Sequence, residues 1–264
     1  MKINYQKFIE SRLKIVNKNG EVVPFILNTI QKKYQERKTG KDIILKARQQ
    51  GFSSLILGEF TADFLLNDNS YSVVVADNSD NATGLLARVK YFLKSYEEIT
   101  GIKVPLKYNS KYELFNESIN SRYIIGTAEN TEFGRSKTIT NLHFSEAAFY
   151  KHFRKLLASA LQALTPTGRC VIETTACGFN EFKEFWDESE MNETGFQPLF
   201  FKASDFYDAD FLSQKEGELK RLFKQEYPET AIEAFLTSGD CYFSNEALEQ
   251  YLVNVKQAIN FQFV

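Results

Sequence analysis

The segment DIILKARQQGFSS (42–54) combines residue types that can hold phosphate groups. Apolar residues lead into a glycine-containing loop that opens a second apolar stretch, and backbone N–H groups of such a loop and of a helix start bind phosphate oxygens. Gly51 would permit the turn, and Ser53 would offer a hydroxyl to Mg²⁺. Lys46 or Arg48 would supply the cation. An ordinary strand-to-helix turn with two solvated cations is the alternative for this segment alone.

The segment departs from the common phosphate-loop string G-x-x-x-x-G-K-[ST]. With Gly51 as the second glycine, Lys46 stands in place of the first glycine and Phe52 in place of the lysine. Ser53 keeps the hydroxyl position. The positive charge would therefore have to come from Lys46 or Arg48, at the other end of the loop.

An acidic residue follows a second apolar stretch, TITNLHFSEAAFY (138–150). In P-loop ATPases a strand at this place ends in Asp-Glu; the aspartate orders Mg²⁺ through water, and the glutamate polarises the attacking water. Ser145 stands at the aspartate position and could still hydrogen-bond a metal-bound water, and Glu146 would be the catalytic base. The alternative is a helix start, with Ser145 as the cap and Glu146 favoured by the helix dipole.

Two adjacent hydroxyl side chains, Thr174 and Thr175, follow the apolar start of VIETTACGF (171–179). Hydroxyls at the carboxyl end of a strand in an open α/β sheet lie where ligands bind. The strand propensity of threonine, followed by a turn, is the alternative explanation.

The elements that must position these side chains alternate between strands and helices. Predicted strands cover 42–46, 71–76, 112–116, 121–126, 138–144 and 169–175. Predicted helices cover 3–16, 53–66, 80–97 and 152–163, and one more follows Pro24. Short apolar strands separated by helices predict βαβ units and a largely parallel buried sheet. The three motifs would then meet at the carboxyl ends of the strands, in one crevice.

Composition limits the class of protein. The 264 residues are 43% hydrophobic and 14% aromatic, which suffices for a large core and excludes disordered, collagen-like and disulfide-scaffold classes. The net charge of −2 means that any nucleic acid must be held by a local basic patch. The two histidines and three cysteines lack metal-site spacing, and no apolar run reaches the length of a membrane span. We expect a soluble intracellular protein.

In their order and spacing, these motifs resemble the ATPase domain of the large terminase subunit of tailed bacteriophages. The resemblance extends from about Pro24 to Phe243, and the family's loop R-Q-x-G-x-[ST] is matched by residues 48–53. LHFSEAA resembles the family's second motif, with Ser145 in place of the commoner aspartate. Three further strings match: Gln31 at the position of a glutamine that contacts adenine, Glu173-Thr174-Thr175-Ala176 at the coupling motif, and residues 226–243 at the end of the domain.

The resemblance implies a fold and a division of the chain. The expected fold is an α/β P-loop NTPase of the RecA-like (ASCE) kind: a three-layer sandwich with a mostly parallel central sheet and a small C-terminal lid. The expected parts are an N-terminal helical segment at 1–40, the ATPase core at 41–194, the lid at 195–243, and at 244–264 a linker or the start of a nuclease domain that is otherwise absent.

The resemblance also assigns site residues. Glu146, Arg48 and Arg135 are expected to be catalytic; Arg135 would act on the ATP of a neighbouring subunit or, alternatively, be a solvated loop charge. Thr174 and Thr175 are expected to couple hydrolysis to movement, and Ser53 and Ser145 to hold Mg²⁺, partly through water. The residues expected to bind the nucleotide are Gln31, Lys46, Ala47, Arg48, Gln49, Gln50, Gly51, Phe52, Ser53 and Ser54.

The implied function is Mg²⁺-dependent ATP hydrolysis that drives viral double-stranded DNA into a procapsid. The implied partners are DNA, the portal protein, the small terminase subunit and other copies in a ring; the isolated domain is expected to be monomeric, in the host bacterial cytoplasm and away from membranes. A helicase-like translocase and a nucleotide-binding scaffold with impaired catalysis are the alternatives. A purely structural module is disfavoured by three motifs at strand ends.

Overall fold

The computed structural model describes residues 3–130 and 138–236. Its helices are α1 (Tyr5–Arg12), α2 (Thr29–Arg37), α3 (Phe52–Leu66), α4 (Ser79–Thr100), α5 (Phe153–Ala163), α6 (Glu181–Glu190), α7 (Ala209–Leu219), α8 (Phe223–Glu226) and α9 (Ala231–Leu236). Its strands are β1 (Lys14–Val16), β2 (Val22–Pro24), β3 (Lys41–Lys46), β4 (Tyr71–Ala76), β5 (Leu106–Asn109), β6 (Glu113–Asn116), β7 (Ser121–Thr127), β8 (Ile139–Ser145), β9 (Leu164–Thr174) and β10 (Gln197–Phe201).

A central sheet of eight strands has the order β10-β3-β9-β8-β4-β7-β6-β5. The six strands from β10 to β7 are parallel, and β6 and β5 add antiparallel pairs at one edge. The predicted α/β class with a mostly parallel sheet is confirmed. The order also shows that β9 lies between β3, which leads into the glycine loop, and β8, which ends at Ser145.

Two hydrophobic cores cover the two faces of the sheet. Ile44 of β3 and Val171 of β9 pack with α3 and α4, whereas the next residue of each strand packs with α5 and α6 on the other face. Side chains alternate along a strand. Lys46 lies two residues after Ile44, and Glu173 lies two residues after Val171. Both side chains therefore project toward the face covered by α3.

The N-terminal segment differs from the expected all-helical one. The helix predicted at 3–16 ends at Arg12, and β1 and β2 pair as an antiparallel hairpin around residues 17–21. The strand residues KIV and VVP are rich in β-branched side chains, and Gly20 has a φ of 80° in the turn. This combination of strand propensity and a glycine turn outweighs the helical pattern.

The segment predicted as the lid, 195–243, begins in the central sheet. Residues Gln197–Phe201 pair in parallel with Asp42–Lys46 at the sheet edge, and Leu199 and Phe201 are buried. This apolar stretch forms a strand because β3 offers it an open edge beside the core. Helices α7, α8 and α9 follow, and the rest of the predicted lid (237–243) and the predicted linker (244–264) lie outside the described residues.

None of the helices within 3–130 and 138–236 combines the length and the apolar character that a membrane crossing requires.

Helix α3 follows the glycine loop, and the packing of α3 against the sheet can be tested by substitution. Phe60 is fully buried in the core under the sheet, whereas Leu66, in the last turn of the same helix, is 49% exposed. We expect Phe60→Ala to lower the free energy of unfolding by about 3–5 kcal/mol. Leu66→Ala should lower it by no more than about 0.5 kcal/mol. Urea unfolding of both variants measures the difference, and equal losses would contradict the packing described.

Candidate functional site

The glycine loop enters α3 through residues with left-handed backbone angles. Gln49 and Gly51 both have left-handed φ angles, 58° and 84°, and Gly51 is the residue that precedes the helix. Among the described residues, no side chain caps the first turn of α3. The N–H groups of that turn therefore remain free for an anion, which the helix dipole also favours.

Gln31 holds the loop from the side of α2. Its side-chain amide nitrogen donates to the carbonyl oxygen of Gly51 at 2.8 Å, and its amide oxygen accepts from the backbone of Asn28 at 3.0 Å. Asn28 in turn donates to the carbonyl oxygen of Gln50 at 3.1 Å. Gln31, predicted to contact adenine, thus lies against the loop and is bonded to its backbone; adenine contact stays a prediction.

The segment after β10 holds the loop from the opposite side. The backbone N–H of Ala47 donates to Phe201, and the side chain of Gln50 donates to the carbonyl oxygen of Lys202 at 3.0 Å. Tyr207 donates its hydroxyl to the carbonyl oxygen of Arg48 at 2.7 Å. An aromatic cluster formed by Tyr207, Phe211, Phe223 and Tyr227 packs beside Ala47 and Ala203.

Arg48 faces this cluster and not the strand ends. Its guanidinium pairs with Glu226 at 3.0 Å, and the side chain is 58% exposed. Its backbone N–H donates to the carbonyl oxygen of the same Glu226. Of the two cations proposed for the loop, Lys46 is therefore the one that points into the crevice.

Phe52, at the position of the usual loop lysine, is a core residue. Its ring lies 4.8 Å from the ring of Phe201 and 5.8 Å from that of Tyr34, measured between centroids. Phe52 thereby anchors the first turn of α3 between α2 and β10.

A buried carboxylate, that of Glu173, joins the motifs. One of its oxygens accepts hydrogen bonds from the hydroxyls of Ser53, at 2.7 Å, and Ser145, at 2.8 Å. The other oxygen lies 3.2 Å from the ammonium nitrogen of Lys46. The imidazole of His143 lies 3.4 Å away, and Glu173 is 0% exposed. The three motifs thus meet at one side chain.

The sheet order places Glu173 at this meeting point. It is in register with Ile44 of β3 on one side and with Ser145 of β8 on the other. Because all three strands are parallel, the loop after β3 and the end of β8 flank it at the same edge. From the sequence, Glu173 is predicted only as part of the coupling motif; the signal for a larger role is a charged residue within an apolar strand.

Glu146 stands next to this carboxylate in an unusual backbone conformation. Its φ is 59°, in the left-handed region. A residue other than glycine in that region raises the free energy of the folded state by about 1 kcal/mol or more. Its carboxylate lies 3.1 Å from the ammonium nitrogen of Lys46 and accepts from the backbone N–H of Thr175 at 3.2 Å. The hydroxyl of Thr174 is 3.5 Å away. The side chain, 33% exposed, is therefore oriented by β9 and still reaches solvent.

The buried charges stabilise each other's ionised forms. Burial disfavours the charge of Lys46, but the carboxylates of Glu146 and Glu173 outweigh burial and raise the pKa of the ammonium above its ordinary value. Burial alone would raise the pKa of Glu173; the charge of Lys46 and the neighbouring His143 and Ser53 outweigh it and lower that pKa. Both groups are charged at neutral pH.

A third cation beside the loop, Arg88, is not among the residues predicted from the sequence. Arg88 of α4 donates to the hydroxyl of Ser54, in the first turn of α3, at 3.1 Å. No local motif marks Arg88, because it lies on the polar face of an amphipathic helix far away in sequence. Arg135, predicted to be catalytic, lies outside the described residues.

Comparison with solved structures connects this architecture to known proteins. The large terminase ATPase domain of Thermus phage P74-26 superposes with a TM-score of 0.60 at 16% identity, over 76% of this chain and 92% of that one. The HK97 bacteriophage large terminase gives a TM-score of 0.61 at 16% identity, over 98% of this chain and 52% of that one. This chain has the fold of a large terminase ATPase domain.

The predicted RecA-like fold class is thereby confirmed. The chain spans about half the length of the HK97 large terminase. The large terminase of a thermophilic bacteriophage has been solved in complex with ATP-γ-S; it gives a TM-score of 0.56 at 13% identity, over 75% of this chain and 50% of that one. Neither a protein-family model nor a curated protein matches the sequence.

The position of Gly51 generates a test of the loop geometry. A Cβ atom there would lie 2.9 Å from the side-chain nitrogen of Gln31, which is buried and hydrogen-bonded at both ends. Gly101 also has a positive φ, but a Cβ there meets nothing within 4 Å. We expect Gly101→Ala to cost about 1 kcal/mol in unfolding free energy for the strained backbone. Gly51→Ala should cost about 1–2 kcal/mol more, because displacing Gln31 breaks its hydrogen bonds.

Denaturant unfolding of the two glycine variants measures this difference. Equal losses would show that Gln31 does not hold the loop as described.

Proposed function

We propose that this chain is the ATPase motor domain of a phage DNA-packaging machine, which hydrolyses Mg–ATP to move double-stranded DNA into a procapsid. The observation that carries the proposal is the convergence of Lys46 and Ser53 on the buried Glu173, with Glu146 paired to the same Lys46, at an uncapped helix start in a large terminase ATPase fold. Each group has a counterpart in the chemistry of phosphoryl transfer.

The phosphates of the nucleotide would lie over the glycine loop. The free N–H groups at the start of α3 would bind phosphate oxygens, and Lys46 would add a cation. Arg48, Ala47, Gln49, Gln50 and Ser54 complete the proposed nucleotide-binding loop, together with Phe52 as its anchor and Gln31 beside it. Binding of ATP-γ-S by a large terminase of similar fold supports this proposal.

The residues at the edge of the sheet fit a magnesium ion. Mg²⁺ is bound in nucleotide sites by one or two carboxylates together with phosphate oxygens and water. The crevice offers the carboxylates of Glu173 and Glu146 and the hydroxyls of Ser53 and Ser145, and a cation, the ammonium of Lys46, already lies between the two carboxylates. The ion would neutralise charge on the phosphates.

Glu146 is the proposed general base. Its carboxylate would accept the proton of the water that attacks the γ-phosphate, a role that requires both access to solvent and a fixed orientation. The partial exposure of Glu146 provides the access, and the hydrogen bond from the N–H of Thr175 provides the orientation.

Thr174 and Thr175 would couple the site to the C-terminal helices. Both contact Glu146, and the carbonyl oxygen of Ala176, the next residue, accepts from Gln225 of α8 at 3.2 Å. A change at Glu146 can therefore reach α8 through one short segment. Arg48, bonded to Glu226 of the same helix, is proposed to respond to the γ-phosphate, and Arg135 to act on a neighbouring subunit's nucleotide.

The proposed setting is the packaging motor in the host bacterial cytoplasm. There the chain would contact DNA, the portal protein and the small terminase subunit, in a ring of identical copies on the procapsid. A nucleotide-binding scaffold without turnover and a helicase-like translocase are the competing functions.

Phosphate release tests the proposal. With Mg–ATP at saturation, Glu146→Gln should lower turnover by about 10²- to 10⁴-fold, because the general base is lost. ATP affinity, measured by calorimetry, should stay within a factor of about 3, a change of less than 1 kcal/mol. Glu98→Gln, on the outer surface of α4, is the control and should match the wild type in both.

Three results would contradict the proposal. Full turnover in Glu146→Gln would remove Glu146 as the base. Tight binding without turnover in the wild type would favour the scaffold. Absence of ATP binding in the wild type would overturn the phosphate-loop assignment.

A further inference from the structure

The end of β8 lacks the charge that a metal site needs. Ser145 stands where ATPases of this kind carry an aspartate, and a serine hydroxyl brings no negative charge to a divalent cation. In the structure that hydroxyl does not face solvent: it donates to a carboxylate oxygen of Glu173 at 2.8 Å. The carboxylate that this hydroxyl contacts is thus on the neighbouring strand, β9.

The same oxygen of Glu173 also accepts a hydrogen bond from the hydroxyl of Ser53, at 2.7 Å. Ser53 is the loop hydroxyl expected to contact the metal ion. One carboxylate oxygen therefore lies within hydrogen-bond distance of both hydroxyls assigned to the metal, although the two come from different elements. An aspartate at the end of β8 would present its charge to the same small space.

The burial of Glu173 is costly for stability alone. Burying a carboxylate with its ammonium partner has a desolvation cost that their attraction often fails to offset. Replacing such a pair by apolar side chains of similar size often leaves the folded state as stable or more stable. Another buried glutamate, Glu59, is paired with Lys38 and Arg169 away from the crevice. Glu173 differs because its partners are the residues expected to bind phosphate and metal.

We propose that Glu173 supplies the carboxylate that holds the metal ion of the bound Mg–nucleotide, in place of the aspartate that is Ser145 here. The proposal rests on the proposed function, because it concerns the metal of that nucleotide site. It also gives Lys46 a role before nucleotide binds: its ammonium is the counter-charge of Glu173 and Glu146. The proposed metal ligand, Glu173, then directly precedes Thr174 and Thr175. The residues proposed to couple the site to α8 would therefore follow the metal ligand in the chain.

The test measures how strongly Mg²⁺ enhances the affinity for ATP-γ-S. Dissociation constants are determined by calorimetry with Mg²⁺ and with EDTA, and their ratio reports the metal contact independently of turnover. We expect Glu173→Gln to reduce this ratio by about 10- to 100-fold. Its affinity in EDTA should stay close to that of the wild type.

Two further variants define the result. Glu59→Gln, which also removes a buried carboxylate from an ion pair, should keep the wild-type ratio. The double variant Ser145→Asp/Glu173→Gln moves the carboxylate back to β8 and should regain the ratio that Glu173→Gln loses. An unchanged ratio in Glu173→Gln overturns the proposal and leaves the proposed function standing. A wild type that does not bind ATP-γ-S overturns both.

If Glu173→Gln does not fold, Glu173→Asp can be used to test the proposal, because it keeps a negative charge opposite Lys46. Its carboxylate is withdrawn by one methylene, and Ca²⁺ bonds to oxygen at longer distances than Mg²⁺. The preference for Mg²⁺ over Ca²⁺ in ATP-γ-S binding should therefore shift toward Ca²⁺. An unchanged preference overturns the proposal.

Discussion

The architecture of the site depends on the buried charge of Glu173. A carboxylate without exposure to water is stable as an anion only if hydrogen bonds and a cation surround it. Its partners come from three different elements: Lys46 from the end of β3, Ser53 from the start of α3 and Ser145 from the end of β8. A shift of any of these elements would cost the buried charge one of its partners, so the carboxylate ties their relative positions together.

Placement of β9 between β3 and β8 also determines how the site can communicate. The same strand end carries Glu173, contacts Glu146 through Thr174 and Thr175, and continues to a carbonyl group that α8 binds. On the other side of the crevice, the glycine loop is bonded to β10 and to the aromatic cluster of α7 and α8. The C-terminal helices therefore contact both the glycine loop and the segment that follows β9.

Most of the fold could be predicted from the sequence, because apolar runs and helical periods are local signals. Strands at 42–46 and 71–76 and the helix at 53–66 lie within a residue or so of their predicted bounds. The order of strands is not a local property. The contacts of Glu173 with Ser145 and Ser53 depend on that order, so they could not be predicted from the sequence. The same limit applies to β10: its apolar residues were visible, but the open edge of β3 that makes them a strand is a feature of the assembled sheet.

The direct test of the account is the crystal structure of this chain with Mn²⁺ and ATP-γ-S, with the metal located by its anomalous scattering. We expect triphosphate oxygens on the glycine loop and the first turn of α3, and Mn²⁺ beside Ser53, bound by Glu173 directly or through one water. A nucleotide bound elsewhere would contradict the assignment of the site. Mn²⁺ held without any contact to Glu173 would contradict the role given to the buried carboxylate.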